Sequence, residues 1–84
     1  MSYYLLMCRS LTYAQRTARI LERSGITAIV TRGPREISPE GCAYCVKVSQ
    51  RRIADAVQVM RAAGLGPVRI FVADGDGAVR EVEE

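Results

Sequence analysis

The chain has no histidine, and only three of its 84 residues are cysteine. Without histidine, the commonest general base of enzymes is missing and no Ser/His/Asp set can form. An odd number of cysteines without a signal peptide argues against a disulfide scaffold and predicts free thiols in a reducing compartment. We therefore expect a cytoplasmic protein that is not a self-sufficient enzyme and needs no cofactor.

Long apolar segments are also missing. The opening run Tyr3–Cys8 is shorter than a signal-peptide core and has no basic residue before it. No other stretch approaches the roughly 20 apolar residues of a membrane helix. A chain this short has room for one core. The sequence predicts a soluble single domain, residues 1–84, with a core over about 3–72 and a turn with an acidic tail over 73–84.

Charge of either sign is not extreme: twelve basic and nine acidic residues give a formal net charge of +3. Five of the nine acidic residues fall within 74–84, so the rest of the chain is moderately basic. The arginines are distributed over helix faces, which predicts a solvated surface. The aromatic and basic motif of an RNA-binding sheet is not visible, so nucleic-acid binding is not expected.

The first half of the chain predicts a strand followed by a helix. The continuous apolar run Tyr3–Cys8 is typical of a strand in the middle of a sheet. Either Ser10 or Thr12 can cap the helix that follows. Apolar residues at helical spacing extend this helix over about 11–24, and Gly25 favours the left-handed stop at its end.

The second half repeats the alternation of strands and helix. Its predicted elements are strands over 26–32, 42–49 and 68–72, a loop over 33–41, a second helix capped by Ser49 and ended by Gly64, and a short extra strand or tail over 78–84. This order predicts an α+β, ferredoxin-like βαββαβ fold with a four-stranded antiparallel sheet in the order 4-1-3-2 and two helices on one face. The other face would be bare and apolar, which predicts a homodimer.

The predicted topology brings the end of strand 1 beside the start of strand 3. Arg9, Ser10 and Cys42 would then lie at one edge with the loop that carries Arg35 and Ser38. A helix N-terminus and nearby arginines lower the pKa of a thiol, and the thiolate is the nucleophilic form of cysteine. Cys42 is therefore a candidate for holding a transferable group, although an isolated cysteine is more often a small apolar filler.

Cys42 and Cys45 form a Cys-x-x-Cys motif, which suggests a redox pair with Cys45 as resolving thiol, or half of a zinc site. Strand alternation would place the two thiols on opposite faces. No histidine or second cysteine pair is present to complete a zinc site, so no metal is expected. The Asp-Gly-Asp-Gly sequence over 74–77 lacks the ligand spacing of a calcium loop and predicts a turn.

Three segments resemble the selenium/sulfur carrier protein-like family of small bacterial domains. They are the Tyr-Tyr-Leu-Leu-Met-Cys-Arg-Ser run over 3–10, the helix that ends at Gly25-Ile26, and the Pro-Arg-Glu-Ile-Ser loop over 34–38 that leads to Cys42. The similarity covers about residues 3–72. The family pattern has glycine after this cysteine, where the present chain has Ala43. The resemblance implies a carrier function in which Cys42 is the functional residue, supported by Arg35 and Ser38.

The preferred hypothesis is therefore a thiol carrier or accessory protein in sulfur or selenium metabolism. Cys42 would hold the group as a persulfide or selenosulfide, and the partners would be a protein donor and a protein acceptor. One rival is a non-catalytic ferredoxin-like interaction or regulatory module that pairs through a sheet edge or its open face. A second rival is a thiol redox sensor that uses Cys42 and Cys45.

Overall fold

The computed structural model describes residues 2–33, 43–66, 69–75 and 78–82. It contains five strands, two α-helices and one short 3₁₀ helix. In chain order these are β1 Tyr3–Cys8, α1 Leu11–Arg23, β2 Ile29–Arg32, β3 Tyr44–Ser49, a 3₁₀ helix Gln50–Arg52, α2 Ile53–Ala62, β4 Arg69–Ala73 and β5 Val79–Val82. No helix in this described part is both long and apolar enough to cross a membrane.

The strands form one sheet in the order β2-β3-β1-β4-β5, with every neighbouring pair antiparallel. Leu6 in the central strand lies opposite Val46 on one side and Ile70 on the other. The predicted order of the first four strands is the observed one. The prediction of a four-stranded sheet is wrong, because β5 adds a fifth strand where an acidic tail was the main expectation.

β5 has a physical reason to pair with β4. Without it, β4 would leave a row of unpaired backbone groups along the edge of the sheet. Val79 packs against the apolar cluster on one face of the sheet, and Val82 packs against the cluster on the other. The Asp74 N–H donates to the Ala78 carbonyl at 2.9 Å where the chain reverses.

Helix α1 begins at the predicted cap. The Ser10 hydroxyl accepts a hydrogen bond from the Tyr13 N–H at 3.3 Å, which satisfies one of the free donors of the first turn. The other proposed cap, Thr12, lies inside the helix. At the other end Gly25 has φ +82°, and the Ile26 N–H donates to the Leu21 carbonyl at 2.9 Å. This closing bond explains why β2 begins at Ile29 rather than at Ile26.

The second helix starts differently from its prediction. Ser49 precedes the 3₁₀ helix, but its side chain makes no capping hydrogen bond. The chain passes through that 3₁₀ helix before α2 begins at Ile53. Gly64, with φ +73°, follows the helix as predicted.

Both helices pack on one face of the sheet, as the sequence predicted. Their core contains buried residues from α1, α2 and the strands, among them Leu6, Leu21, Val46 and Met60. Burying such side chains contributes about 1.5–3 kcal/mol each before the loss of conformational entropy is counted.

The opposite face is not bare within a single chain, contrary to expectation. Leu5, Cys45 and Phe71 form a second cluster there and are only 0–3% exposed. Two cations lie over rings of this face: Lys47 Nζ is 4.2 Å from the centre of the Tyr3 ring, and the Arg69 guanidinium is 5.1 Å from that of Phe71. Long basic side chains can cover apolar surface while their charge stays in water.

Candidate functional site

The predicted meeting of the end of β1 with the start of β3 is confirmed in the described part of the chain. Cys8, the last residue of β1, lies opposite Tyr44, the first residue of β3, and the preceding Met7 lies opposite Arg69, the first residue of β4. The end of β1 therefore meets the start of two antiparallel neighbours. Helix α1 begins three residues after Cys8, so its N-terminus lies at the same end of the sheet.

A cavity of about 80 Å³ opens at this end of the sheet. It lies where the end of β1, the first turns of α1 and the segment between α2 and β4 meet. Its lining residues are Cys8, Arg9, Tyr13, Thr17, Gly64, Leu65 and Gly66. The cavity brings together a thiol, a guanidinium and a phenol.

Cys8 is the thiol of this cavity and is 9% exposed. Its Sγ donates to the Leu6 carbonyl at 3.5 Å. Burial raises the pKa of the Cys8 thiol, while a hydrogen bond with the buried Thr17 acts in the opposite direction. Cys8 is therefore a neutral, shielded thiol near pH 7.

Arg9 and Ser10, two predicted supporting residues, lie beside Cys8 in this edge. Arg9 lines the cavity, and its guanidinium is 5.8 Å from the centre of the Tyr13 ring. The Arg16 guanidinium approaches the same ring at 6.0 Å. The Ser10 hydroxyl already accepts the Tyr13 N–H, so its first role is to cap α1. An anion-binding role for Arg9 and Ser10 stays a prediction.

Cys45, the possible resolving thiol, lies away from this edge cavity. It is completely buried in the cluster with Leu5 and Phe71, whereas Cys8 belongs to the cluster on the helix side. Burial, and to a smaller extent the charge of Cys8, raises the pKa of Cys45 to about 11. Cys45 is therefore protonated near pH 7.

The other predicted site residues, Arg35, Ser38 and Cys42, lie outside the described residues. The described chain resumes at Ala43, directly after Cys42 in the sequence. The Gly33 N–H donates to the Ala43 carbonyl at 2.9 Å, which joins the described residues on either side of 34–42. Among the described residues, no group of three or more histidine, cysteine, aspartate or glutamate side chains is placed to hold a metal ion.

The sequence analysis did not predict that Thr17, Leu65 and Gly66 lie at this end of the sheet. The positions of Leu65 and Gly66 could have been predicted. Because β4 is antiparallel to β1, the segment that leads into β4 must lie at the end of the sheet where β1 ends. Thr17 had no comparable signal. Its burial depends on how closely α1 approaches β1, and a threonine inside a helix is usually read as part of a polar face.

The comparisons with known proteins define the family. The model of the family described as Putative Se/S carrier protein-like matches residues 3–72, which is most of the chain. The chain belongs to this family. The comparisons with curated proteins and with solved structures found no match.

Proposed function

We propose that the protein is a thiol-based carrier of sulfur or selenium and that Cys42 holds the group. The family membership over residues 3–72 carries this proposal. The geometry supports it, since Ala43, the chain neighbour of Cys42, is bonded to Gly33 at the end of the sheet where α1 begins. The N-terminus of a helix and the guanidinium of Arg9 both favour a thiolate over a thiol in their vicinity.

The loading step is a thiol exchange that needs no external oxidant. The Cys42 thiolate attacks the outer sulfur of a donor persulfide, R–S–SH. A new S–S bond forms to Cys42, the S–S bond of the donor breaks, and the donor leaves as the thiolate R–S⁻. The product is Cys42–S–SH, and the negative charge passes to the donor. A donor selenosulfide, R–S–SeH, gives Cys42–S–SeH in the same way, and the reverse step delivers the group to an acceptor thiolate.

The two described thiols are poor competitors for this step. Cys8 and Cys45 are buried, and burial raises the pKa of each. Because the thiolate is the attacking species, neither should react quickly near pH 7. The same facts count against a redox sensor that uses Cys45 as resolving thiol. The burial and raised pKa of Cys8 and Cys45 agree better with a carrier in which a single cysteine reacts.

We further propose that the carrier acts in the cytoplasm with a protein donor and a protein acceptor, and is not a self-sufficient enzyme.

We also propose a homodimer, but one that forms through the edge strand β2 rather than through the open face of the sheet. The open face is largely covered, but Ile29 on the edge strand β2 is 55% exposed. It borders an apolar groove of about 250 Å³ that Tyr3 and Lys47 also line. An edge strand with such a neighbour is suited to pairing with a second copy.

Selective labelling and loading test the carrier function. Under limiting iodoacetamide near pH 7, peptide mass spectrometry should find label on Cys42 before Cys8 and Cys45. A small-molecule persulfide donor should add the mass of one sulfur atom to the Cys42 peptide of the native chain. Cys42→Ser should abolish this gain, whereas the control Cys45→Ser should retain it. If Cys42 reacts no faster than a cysteine in an unfolded peptide and gains no sulfur, the proposal fails.

The role of Arg35 is tested by the pH profile of alkylation. If its guanidinium supports the thiolate, Arg35→Ala should shift the apparent pKa of Cys42 upwards with little change in stability. Arg51→Ala removes an exposed arginine from the 3₁₀ helix and serves as the control. An unchanged profile in Arg35→Ala would assign Arg35 a different role.

A further inference from the structure

The basic excess of the chain is concentrated in α1 and the residues that flank it. Residues 9–24 contain four arginines and one glutamate, so this segment has a formal charge of +3, equal to that of the whole chain. In the rest of the sequence, acidic and basic residues are equal in number. We call the four residues Arg9, Arg16, Arg19 and Arg23 the arginine stripe.

The arginine stripe is exposed and has no acidic partner in the described part of the chain. All four side chains are exposed. Two other arginines have carboxylate partners: Arg52 pairs with Asp55 at 3.3 Å, and Arg69 donates two hydrogen bonds to Glu81. The described residues form no comparable ion pair with any member of the stripe. Its positive charge is therefore uncompensated within this part of the molecule.

This arrangement does not help the helix itself. Arg16 and Arg19 are three residues apart, and Arg19 and Arg23 four, which are the spacings at which like charges repel on a helix by about 0.2–0.5 kcal/mol per pair. The first turn of α1 has no acidic residue, and Arg9 precedes the positive end of the helix dipole. Only Arg23, in the last turn, is favourably placed toward the helix dipole. The stability of the helix therefore gives no reason for Arg9, Arg16 and Arg19, whereas an anionic partner would relieve their repulsion.

Tyr13 provides a contact point within the stripe. The guanidinium groups of Arg9 and Arg16 are 5.8 and 6.0 Å from the centre of its ring, and Tyr13 is 38% exposed. The buried face of the helix, by contrast, consists of Ala14, Thr17 and Leu21. Tyrosine and arginine are enriched among the residues that dominate protein–protein binding energies. The stripe extends along the roughly 20 Å length of α1.

We infer that the arginine stripe, together with Tyr13, is the docking surface for an acidic patch on a protein partner. This inference rests on the proposed function, because the partner is the protein that supplies or accepts the sulfur or selenium. Guanidinium groups bind carboxylates through paired hydrogen bonds. Arg9 and Tyr13 also line the cavity beside Cys8. A partner docked on the stripe thus lies at the end of the sheet where β3 begins.

A protein fits this surface better than a nucleic acid does. Four arginines can neutralise about four phosphates, and a longer polyanion would meet a surface on which acidic and basic residues are balanced. The sheet also offers no free stacking platform at Tyr3, because Lys47 lies over its ring at 4.2 Å. A compact patch of carboxylates matches the size and chemistry of the stripe.

Titration of the full chain with two anionic probes tests this inference. The probes are a glutamate peptide of about five residues and a single-stranded RNA of similar charge, measured at low salt by calorimetry and by amide NMR shifts. The peptide should bind and shift the amides of residues 9–23. The double variant Arg16→Glu/Arg19→Glu should weaken this binding by about ten-fold or more. The control Arg51→Glu/Arg80→Glu changes the net charge equally, from other exposed positions, and should weaken it by less than about three-fold.

Equal losses in the two double variants, or shifts that avoid α1, would overturn the docking surface. Tighter binding of the RNA at the stripe would overturn the assignment to a protein partner. Loading of Cys42 from a small-molecule persulfide donor is measured in parallel, and Arg16→Glu/Arg19→Glu should leave it unchanged. If the wild-type chain binds the peptide at α1 but gains no sulfur, the carrier function fails while the acidic docking surface is supported.

Discussion

Cys8 and Cys45 are neighbours across the β1–β3 ladder but lie on opposite faces of the sheet. Cys8 is in register with Tyr44, and Cys45 with Met7. Because successive side chains of a strand point to opposite faces, the two thiols belong to different apolar clusters. They are both free in the described chain. Two thiols separated by the sheet cannot form a disulfide without rearrangement of the backbone.

The stability of the protein should fall at alkaline pH because of Cys45. Folding raises the pKa of this thiol from 9.0 to about 11, mainly by burial. Above about pH 9 the thiol ionises in the unfolded chain but stays protonated in the folded one, so the unfolded state is favoured. A shift of this size corresponds to a loss of roughly 2–3 kcal/mol by pH 11. Urea unfolding at about pH 8 and about pH 10.5 measures the effect.

Cys45→Ala is the control for this pH dependence. The variant should be less stable at pH 8, because it leaves a small cavity, but it should lose less stability between the two pH values than the wild-type chain. Identical losses in both proteins would show that Cys45 does not titrate differently in the folded state.

Ser10→Ala should destabilise the protein by about 1 kcal/mol, because the Ser10 hydroxyl accepts the Tyr13 N–H at the start of α1. Ser49 offers a matched control: it precedes the 3₁₀ helix, but its side chain forms no capping hydrogen bond. Ser49→Ala should therefore change the free energy of unfolding by less than about 0.5 kcal/mol. Chemical denaturation of both variants distinguishes the two serines, and equal effects would contradict the assigned cap.

A homodimer formed through β2 should dissociate when Ile29 is charged. Among the described strands, β2 pairs with β3 alone. Ile29 is 55% exposed, more than Leu11 or Tyr13, the other exposed large apolar residues of the described chain. Ile29→Lys would place an ammonium group in the proposed interface and should give a monomer by sedimentation velocity. Leu11→Lys, at another exposed apolar position, should leave the dimer intact. A wild-type chain that is monomeric at high micromolar concentration would remove the dimer altogether.

Patterns that depend on neighbouring residues were predicted well. The bounds of β1, the start of α1 after Ser10, and the glycines that follow both helices agree with the structure. The reason is that apolar runs, caps and left-handed stops are decided within a few residues of the chain. The order of the first four strands also followed, because right-handed crossovers leave few arrangements for this sequence of elements.

Features that depend on distant residues were predicted less well. Whether Val79–Val82 forms a strand depends on the free edge of β4 and on apolar contacts on both faces of the sheet. Likewise, strand alternation predicted that Cys42 and Cys45 lie on opposite faces of the sheet, but not that Leu5 and Phe71 would enclose Cys45. These outcomes require pairing between segments that are far apart in the sequence.

The sequence by itself determined the order of the elements from β1 to β4, the family and the candidate residue Cys42. Local pattern and residue chemistry were sufficient for these. Only the tertiary structure decided that Cys45 is enclosed on the sheet face away from Cys8, that Thr17 and Gly66 share a cavity with Cys8, and that the arginine stripe lacks acidic partners in the described chain. The physical reason is that burial, and with it the pKa of a thiol or the neutralisation of a charge, depends on which distant side chains pack nearby.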